Sequence, residues 1–192
     1  MRKRMYIVPK GQPGYLKAQR KYTLVRTIVY FALSLSIFVL GYVTTKTRTN
    51  LLTVVAVLGC LPASKSLVNT IMFFRSMGCS ENVCRAVQER TAGFDVLFDL
   101  IMTTYDQNFQ LSSLVVKGHN IVALTEWDKT DIAAAQKHIE ECLKLDGYKE
   151  YTIKIFREPE KYLNRIEQMK QTEEEENREK GEVLQTLLSI SL

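Results

Sequence analysis

Two long apolar runs dominate the hydrophobic pattern of the chain. They cover residues 27–45 and 51–74, and the short polar bridge of residues 46–50 joins them. A bilayer core of about 30 Å is crossed by about 20 helical residues, because a helix satisfies its own backbone hydrogen bonds in lipid. The first run is also too long for a typical signal-peptide core. The pattern therefore predicts an uncleaved two-helix transmembrane hairpin, and hence a multi-pass protein of the cell membrane.

Pro62 and Lys65 interrupt the second run. Residues 51–63 alone are too short to cross a bilayer, so we expect one span that continues through both residues, with a kink near Pro62. A charge in hydrocarbon costs at least about 2.5–3.5 kcal/mol, which makes Lys65 a candidate functional residue. Asn69, four residues later, shares its helix face, and Cys60 is the third intramembrane polar candidate. Alternatively, Lys65 lies in the cytoplasmic half of the span and reaches the headgroups along its apolar stem.

Positive charge is concentrated before the first run. Residues 1–26 contain eight basic side chains and no acidic one, so the rest of the chain carries a net charge of −3 although the whole carries +5. Segments rich in Lys and Arg stay on the cytoplasmic side of a membrane. We therefore expect residues 1–26 to be a basic cytoplasmic lead, flexible over residues 1–21, and both termini to be cytoplasmic. Attraction to anionic lipid explains the charge of the lead, so no nucleic-acid partner is expected.

The pattern of residues 76–170 changes to that of a small cytoplasmic α+β domain. The expected elements are a helix at 76–91, a strand at 94–104, a β-hairpin at 110–117 and 120–127, a helix at 128–145, a strand at 151–155 and a helix from Pro159. Ser80 is the expected N-cap of the first helix, and Asp128 or Thr130 that of the second. Residues 94–104 also fit a helical period, but their alternation favours a strand. The order helix, three-strand meander, helix, strand, helix predicts a four-stranded sheet with helices on one or both faces.

Side chains able to do chemistry are few and scattered. Cys79 and Cys84 are separated by four residues with no histidine near them, which is not a common zinc spacing. In the reducing cytoplasm we expect them to be free thiols. Asp95 and Asp99 are expected to lie on a solvated face of an edge element. The sequence contains no phosphate-binding, hydrolase or metalloprotease motif, so we expect no catalytic residue, no cofactor and no metal.

Residues 171–192 combine an acidic linker, centred on the four glutamates at 173–176, with an amphipathic C-terminal segment. The apolar stripe of this segment is a candidate partner-docking surface and consists of Val183, Leu184, Leu187, Leu188 and Ile190. Packing of the stripe on the chain's own domain is an equally good interpretation. Trp127, the only tryptophan, is a further docking candidate, or else it closes the core where the β-hairpin meets the following helix.

The element order of residues 80–157 resembles that of restriction-endonuclease-like nucleases. That resemblance implies an acidic residue on the second strand and a carboxylate-x-Lys sequence on the third, which together hold a divalent metal at the scissile phosphate. Here the second strand, at residues 110–116, contains no acid, and Glu126 is not followed by a lysine two residues later. Asp128 already lies at the start of the next helix. The resemblance thus implies a domain of this shape that lacks the usual catalytic residues.

Two classes of function follow from these features. The first is a non-enzymatic protein-interaction or scaffold module, anchored to the membrane and displaying the cytoplasmic domain to a protein partner. The second is a membrane transport component or a membrane-bound enzyme, in which Cys60, Lys65 and Asn69 face a polar path. Two spans are too few to enclose a path within one chain, so the second class requires self-association.

Overall fold

The computed structural model describes residues 8–47, 51–171 and 180–192. The elements of these residues, in chain order, are α1 (Tyr15–Thr45), α2 (Leu51–Arg75), α3 (Glu81–Arg90), β1 (Asp95–Thr103), β2 (Asn108–Lys117), β3 (Asn120–Leu124), α4 (Ile132–Leu145), β4 (Thr152–Phe156), α5 (Pro159–Gln171) and α6 (Lys180–Ser189). The chain divides into two compact units. One is the helical hairpin, Leu16–Ser76, and the other is the α+β domain, formed by Met77–Leu192 with the segment that ends at Tyr15.

Each of the two apolar runs forms a single helix, and both helices are long and apolar enough to cross a membrane. Helix α2 continues through Pro62 and Lys65, as expected for one element. Helix α1 begins at Tyr15, well before the first apolar run. The expectation of a flexible lead is therefore wrong for residues 15–21. These residues include Leu, Lys, Ala, Gln and Arg, which are strong helix formers, so the helix of the apolar run extends into them.

The four strands form one mixed sheet in the order β1-β2-β3-β4. Strands β1, β2 and β3 form an antiparallel meander, and β4 returns parallel to β3 after the crossover helix α4. The strand favoured at residues 94–104 is confirmed as β1. The predicted β-hairpin is also confirmed, with Lys117 paired to Asn120 across the two-residue turn.

Helices cover both faces of the sheet. Helices α4 and α6 pack on one face, where Ile139 and Leu187 are fully buried in the core. Helices α3 and α5 pack on the other face, and the predicted apolar stripe of α5 is buried there: Tyr162, Leu163, Ile166 and Met169. The predicted four-stranded sheet with flanking helices is thus confirmed, and it has three layers.

Strand β1 changes its buried side at Asp99. This residue has a φ of 56° and is absent from the ladder with β2, although the pairing register is the same before and after it. Leu97 and Leu100 consequently face the same core layer, whereas strict alternation would put them on opposite faces. Leu111 and Leu114 on β2 make the same change.

The starts of α3 and α4 differ from the predictions. Helix α3 begins at Glu81, so residues 76–80 of the helix predicted at 76–91 are not helical. The N-cap of α4 is Asp131, whose carboxylate accepts a hydrogen bond from the backbone N–H of Ala134 at 3.1 Å. The expected caps Asp128 and Thr130 are wrong. Thr130 is fully buried, and its hydroxyl lies 3.2 Å from that of Thr125, so its side chain is part of the domain interior. Helix α4 ends at Leu145, as predicted.

Both described ends of the domain lie along the outer edge of β1. The backbone N–H of Phe98 donates to the carbonyl of Gly11 at 2.8 Å, and that of Leu192 donates to the carbonyl of Ile101 at 2.7 Å. Gly11 has a φ of 83°, and a Cβ at this position would lie 2.8 Å from Leu97 Cδ2, so a glycine is required. Covering the edge in this way removes a surface on which other chains could add a strand.

Candidate functional site

The inward face of the helical hairpin is small and polar. Within the hairpin unit, the buried residues of α1 and α2 are small or carry a hydroxyl, except for two large ones at the end away from the bridge, Leu16 and Phe73. The small and hydroxyl-bearing residues form the seam: Thr23, Thr27, Ser34 and Gly41 on α1 and Ala56, Ala63, Ser66 and Thr70 on α2. The hydroxyl oxygen of Thr27 lies 2.7 Å from that of Ser66 and 2.9 Å from that of Thr70. At Gly59, an added Cβ would lie 2.7 Å from Ser34 Oγ. Small residues and interhelical hydroxyl bonds let the two backbones approach closely.

The outward face of the hairpin is apolar. Large exposed side chains follow both helices, among them Ile28, Leu33, Val39, Leu40, Val55, Val57, Leu61 and Val68. Val57, near the middle of the apolar part of α2, is 62% exposed. A helix pair in water places its apolar stripe inside and its polar residues outside. The polarity of this hairpin is the reverse.

The contacts across the seam fix which residues of α1 and α2 lie at the same level. Arg26 Nε donates to Ser66 Oγ at 3.3 Å, which places the neighbouring Lys65 at the level of Arg26. Ser34 contacts Gly59 further toward the bridge. The first apolar run begins at residue 27, so Lys65 lies at the level where that run begins. Sequence reasoning left the level of Lys65 open, because the register between the two helices is not readable from either run alone.

The three intramembrane polar candidates differ in burial. Cys60 and Lys65 are exposed, and Asn69 is half-buried. The hydroxyl of Ser64, beside them, donates to the carbonyl of Cys60 at 2.8 Å. None of the three is among the fully buried residues of the seam, and their role at a polar path stays a prediction.

Two sheet side chains and one that follows β3 hold the segment that precedes α3. We call Asp99, Gln110 and Glu126 the α3 clamp. Its hydrogen bonds run from Met77 N to Gln110 Oε1 (2.8 Å), from Cys79 N to Asp99 Oδ1 (2.7 Å), from Ser80 N to Glu126 Oε2 (3.0 Å) and from Ser80 Oγ to Glu126 Oε1 (2.6 Å). The two carboxylates lie at the N-terminal end of α3, where the helix dipole and unpaired N–H groups favour negative charge.

The clamp bears on two expectations. Asp99 is 4% exposed, so its expected place on a solvated face is wrong. The left-handed backbone at Asp99 turns this carboxylate toward the α3 segment. Ser80 is at the N-cap position of α3, but its side chain does not cap the helix and donates to Glu126 instead. Glu126, the carboxylate that the nuclease resemblance singled out, is thus bonded to the start of α3.

Cys79 and Cys84 lie side by side at the start of α3. They occupy the position before the N-cap and the fourth helical position, which are the two positions of a hydrophobic staple. The two thiols interact with each other, and neither cysteine is in a disulfide. Burial raises the pKa of the Cys79 thiol, and the nearby Cys84, Glu126 and Asp99 raise it further. Since the thiolate is the reactive form, Cys79 is a poor nucleophile.

The C-terminal segment closes the domain core. Val183 and Leu187 of α6 are fully buried, and the other stripe residues, Leu184, Leu188 and Ile190, are partly buried against the same core. Lys10 Nζ donates to the carbonyl of Leu188 at 2.7 Å and to that of Ser191, so the lead is bonded to the end of α6. Trp127 is half-buried. Partner docking through these residues stays a prediction, and the acidic residues 173–176 lie outside the described residues.

Within the described residues, no group of three or more His, Cys, Asp or Glu is placed to hold a metal ion. Tyr162 is fully buried and accepts a hydrogen bond of 3.0 Å from Ser113, and burial raises its pKa. This hydroxyl pair joins α5 to β2 inside the core. The buried polar groups of the domain described so far therefore hold its elements together.

No protein-family model, no curated protein and no solved structure matches the chain. The resemblance to restriction-endonuclease-like nucleases accordingly stays one of element order.

Proposed function

We propose that the chain is a two-span membrane protein whose helical hairpin anchors the α+β domain at the cytoplasmic face of the cell membrane. There the domain acts as a non-enzymatic protein-interaction or scaffold module. The observation that carries this proposal is the reversed polarity of the hairpin, with hydroxyls and small residues in the seam and large apolar side chains outside.

The outward surface of the hairpin is costly in water and not in lipid. Exposing apolar area to water costs about 25 cal/mol per Å². Large apolar side chains, such as those of Val57 and Leu61 on α2, are exposed along the apolar part of both helices. In lipid the same surface costs nothing, and the hydrogen bonds of Thr27 inside the seam add to helix association. Lipid is therefore the surrounding medium that this hairpin fits.

The charge distribution supports the orientation. The sequence before the first run carries eight basic residues, whereas the bridge carries only Lys46 and Arg48. Because basic flanks stay cytoplasmic, we place the lead, and with it the domain, on the cytoplasmic side.

The state of the polar groups in the domain favours binding over catalysis. Asp99 and Glu126 are bonded to the start of α3, and the raised pKa of Cys79 keeps its thiol protonated. A partner would meet the assembled domain surface, because Val183 and Leu187 are buried. Docking through the α6 stripe, which we retain as a proposal, would require α6 to leave the core.

The test is alkaline extraction of membranes from cells that express the full chain with a C-terminal tag, followed by protease treatment of sealed vesicles. We expect the protein to stay in the membrane pellet at high pH. We expect the tag to be cleaved in inside-out vesicles and protected in right-side-out vesicles. Release of the protein by alkali would overturn the anchor, and cleavage in right-side-out vesicles alone would overturn the orientation.

A further inference from the structure

The helical hairpin carries two cations at one level, one on each helix. Arg26 is half-buried and lies across the seam from Ser66, to which its Nε donates at 3.3 Å. Its guanidinium carbon also lies 5.8 Å from the centre of the Tyr22 ring. Lys65, the residue before Ser66, is exposed. A guanidinium has five N–H donors in a rigid fork, and the bond to Ser66 uses one of them.

The hairpin supplies no countercharge for this pair. The sequence contains no Asp or Glu before Glu81, so every residue of α1 and α2 is neutral or basic. Hydrogen bonds to neutral oxygens orient Arg26 but do not compensate its charge. The anion that pairs with Arg26 and Lys65 must therefore come from outside the hairpin.

The position of the pair along the helices indicates which anion that is. On α1 the residues between Arg26 and Lys46 are uncharged, and at ~1.5 Å per residue they extend about 30 Å, the thickness of a bilayer core. On α2 the described residues before Lys65 are uncharged as well. If the hairpin spans a membrane as proposed above, Arg26 and Lys65 lie at the cytoplasmic edge of the hydrocarbon, which is the depth of the phospholipid phosphates.

We propose that Arg26 and Lys65 together bind the phosphate of an anionic phospholipid in the cytoplasmic leaflet. Arg26 supplies directional N–H donors, and Ser66 positions the guanidinium. Lys65 adds a flexible second charge from the neighbouring helix. This inference rests on the proposed membrane anchor and adds to it a specific lipid contact that sets the depth of the hairpin. It also assigns to Lys65 a binding role at the interface in place of a polar path through the membrane.

The test uses the full chain in nanodiscs that contain equal amounts of phosphatidylglycerol and phosphatidylcholine. After release into the gas phase, native mass spectrometry counts the lipids that stay bound. We expect the wild type to retain phosphatidylglycerol preferentially. We expect this preference to fall at least several-fold in the Arg26→Gln/Lys65→Gln variant. The charge-matched control, Lys137→Gln/Lys161→Gln, removes two exposed cations of the domain and should keep the wild-type preference.

A second pair of variants tests positioning without a change of charge. Ser66→Ala removes the oxygen that accepts from Arg26 and should weaken the preference, whereas Ser64→Ala removes an outward hydroxyl bonded to Cys60 and should not. Free glycerol phosphate should fail to displace the bound lipid, and displacement by it would overturn the lipid assignment in favour of a soluble phosphate. If Arg26→Gln/Lys65→Gln stayed in the membrane and kept the wild-type preference for phosphatidylglycerol, the lipid site would be overturned and the anchor would stand. Failure of the protein to stay in membranes would overturn the anchor as well.

Discussion

The carboxylate of Asp99 accepts a hydrogen bond of 2.7 Å from the backbone N–H of Cys79, and Asp99 itself has a φ of 56° in the middle of β1. The two features depend on each other. The left-handed backbone directs this carboxylate to the start of α3, and the bond to Cys79 compensates for its burial. Aspartate is also one of the few residues other than glycine that visit this conformation readily.

Substitutions of Asp99 separate the energy of its hydrogen bond from the cost of its left-handed backbone. Asp99→Ala loses a charge-assisted hydrogen bond, worth about 1.5–3 kcal/mol, and adds roughly 1 kcal/mol of backbone strain. Asp99→Gly loses only the bond, and Asp99→Asn keeps an acceptor and tolerates the backbone. We expect the free energy of unfolding to fall in the order Asn, Gly, Ala. Trp127, the single tryptophan, follows the clamp residue Glu126 and provides the fluorescence signal for unfolding in detergent. Equal losses for glycine and alanine would contradict the strain at this position.

The pKa of Cys79 predicts a dependence of domain stability on high pH. Burial in the folded state raises this pKa above its ordinary value of 9.0, so the folded state holds a proton that the unfolded state loses as pH rises. The protonated thiol makes its full contribution to the free energy of unfolding below about pH 9, and that contribution declines above it. We expect wild-type stability to fall more steeply than that of Cys79→Ala between pH 9 and 10.5, measured by Trp127 fluorescence. Parallel curves for the two proteins would contradict the raised pKa.

The seam of the helical hairpin predicts a large effect at Gly59. Gly59→Leu places a side chain where a Cβ alone would lie 2.7 Å from Ser34 Oγ, so the helices must separate. Thr27→Val removes only the hydroxyl contacts and should cost about 0.6–1.7 kcal/mol, as interhelical hydrogen bonds do in membrane proteins. The control is Leu61→Val on the exposed face, which should change little. Thermal unfolding in detergent, monitored by the helical signal in circular dichroism, ranks the three variants by stability. A Gly59→Leu variant as stable as Leu61→Val would contradict the seam.

The buried stripe of α6 predicts that the C-terminal segment is part of the domain. Leu187→Ala should destabilise the domain by about 2–5 kcal/mol, the usual cost of deleting a buried leucine side chain. Leu145→Ala is the matched control, since Leu145 is 87% exposed, and it should change stability by less than about 0.5 kcal/mol. Urea unfolding of the full chain in detergent measures both. If a chain that ends at Lys170 unfolded at the wild-type urea concentration, α6 would be shown to be dispensable.

Much of the fold was predictable because it follows from local periodicity. The two helices of the hairpin, the meander and the stripe of α5 are all visible as runs, alternation or helical spacing. The start of α1 was not, because the helix continues past its apolar run into basic residues that are good helix formers. The N-cap of α4 was misplaced because Asp128, Thr130 and Asp131 are all polar and near one another. Tertiary contacts of Thr130 decide among them.

The polar clusters were far less predictable than the elements. Asp99, Gln110 and Glu126 come from three separate parts of the sequence, and only the sheet brings them to the start of α3. The level shared by Arg26 and Lys65 likewise depends on the register between two helices. A sequence pattern gives the faces of each element but not the offset between elements. Contacts between side chains of different elements therefore cannot be predicted from the local sequence pattern.

The most direct test of the membrane anchor is the accessibility of a nitroxide at Val57. Position 57 lies near the middle of the apolar part of α2 and faces outward. In a cysteine-free background and in bilayers, electron paramagnetic resonance compares collisions with oxygen, which concentrates in hydrocarbon, and with a water-soluble nickel complex. Position 105, fully exposed on the domain, is the control. We predict that the label at 57 collides with oxygen and is shielded from nickel, and that the label at 105 does the opposite. Equal access of nickel to both positions would contradict the anchor.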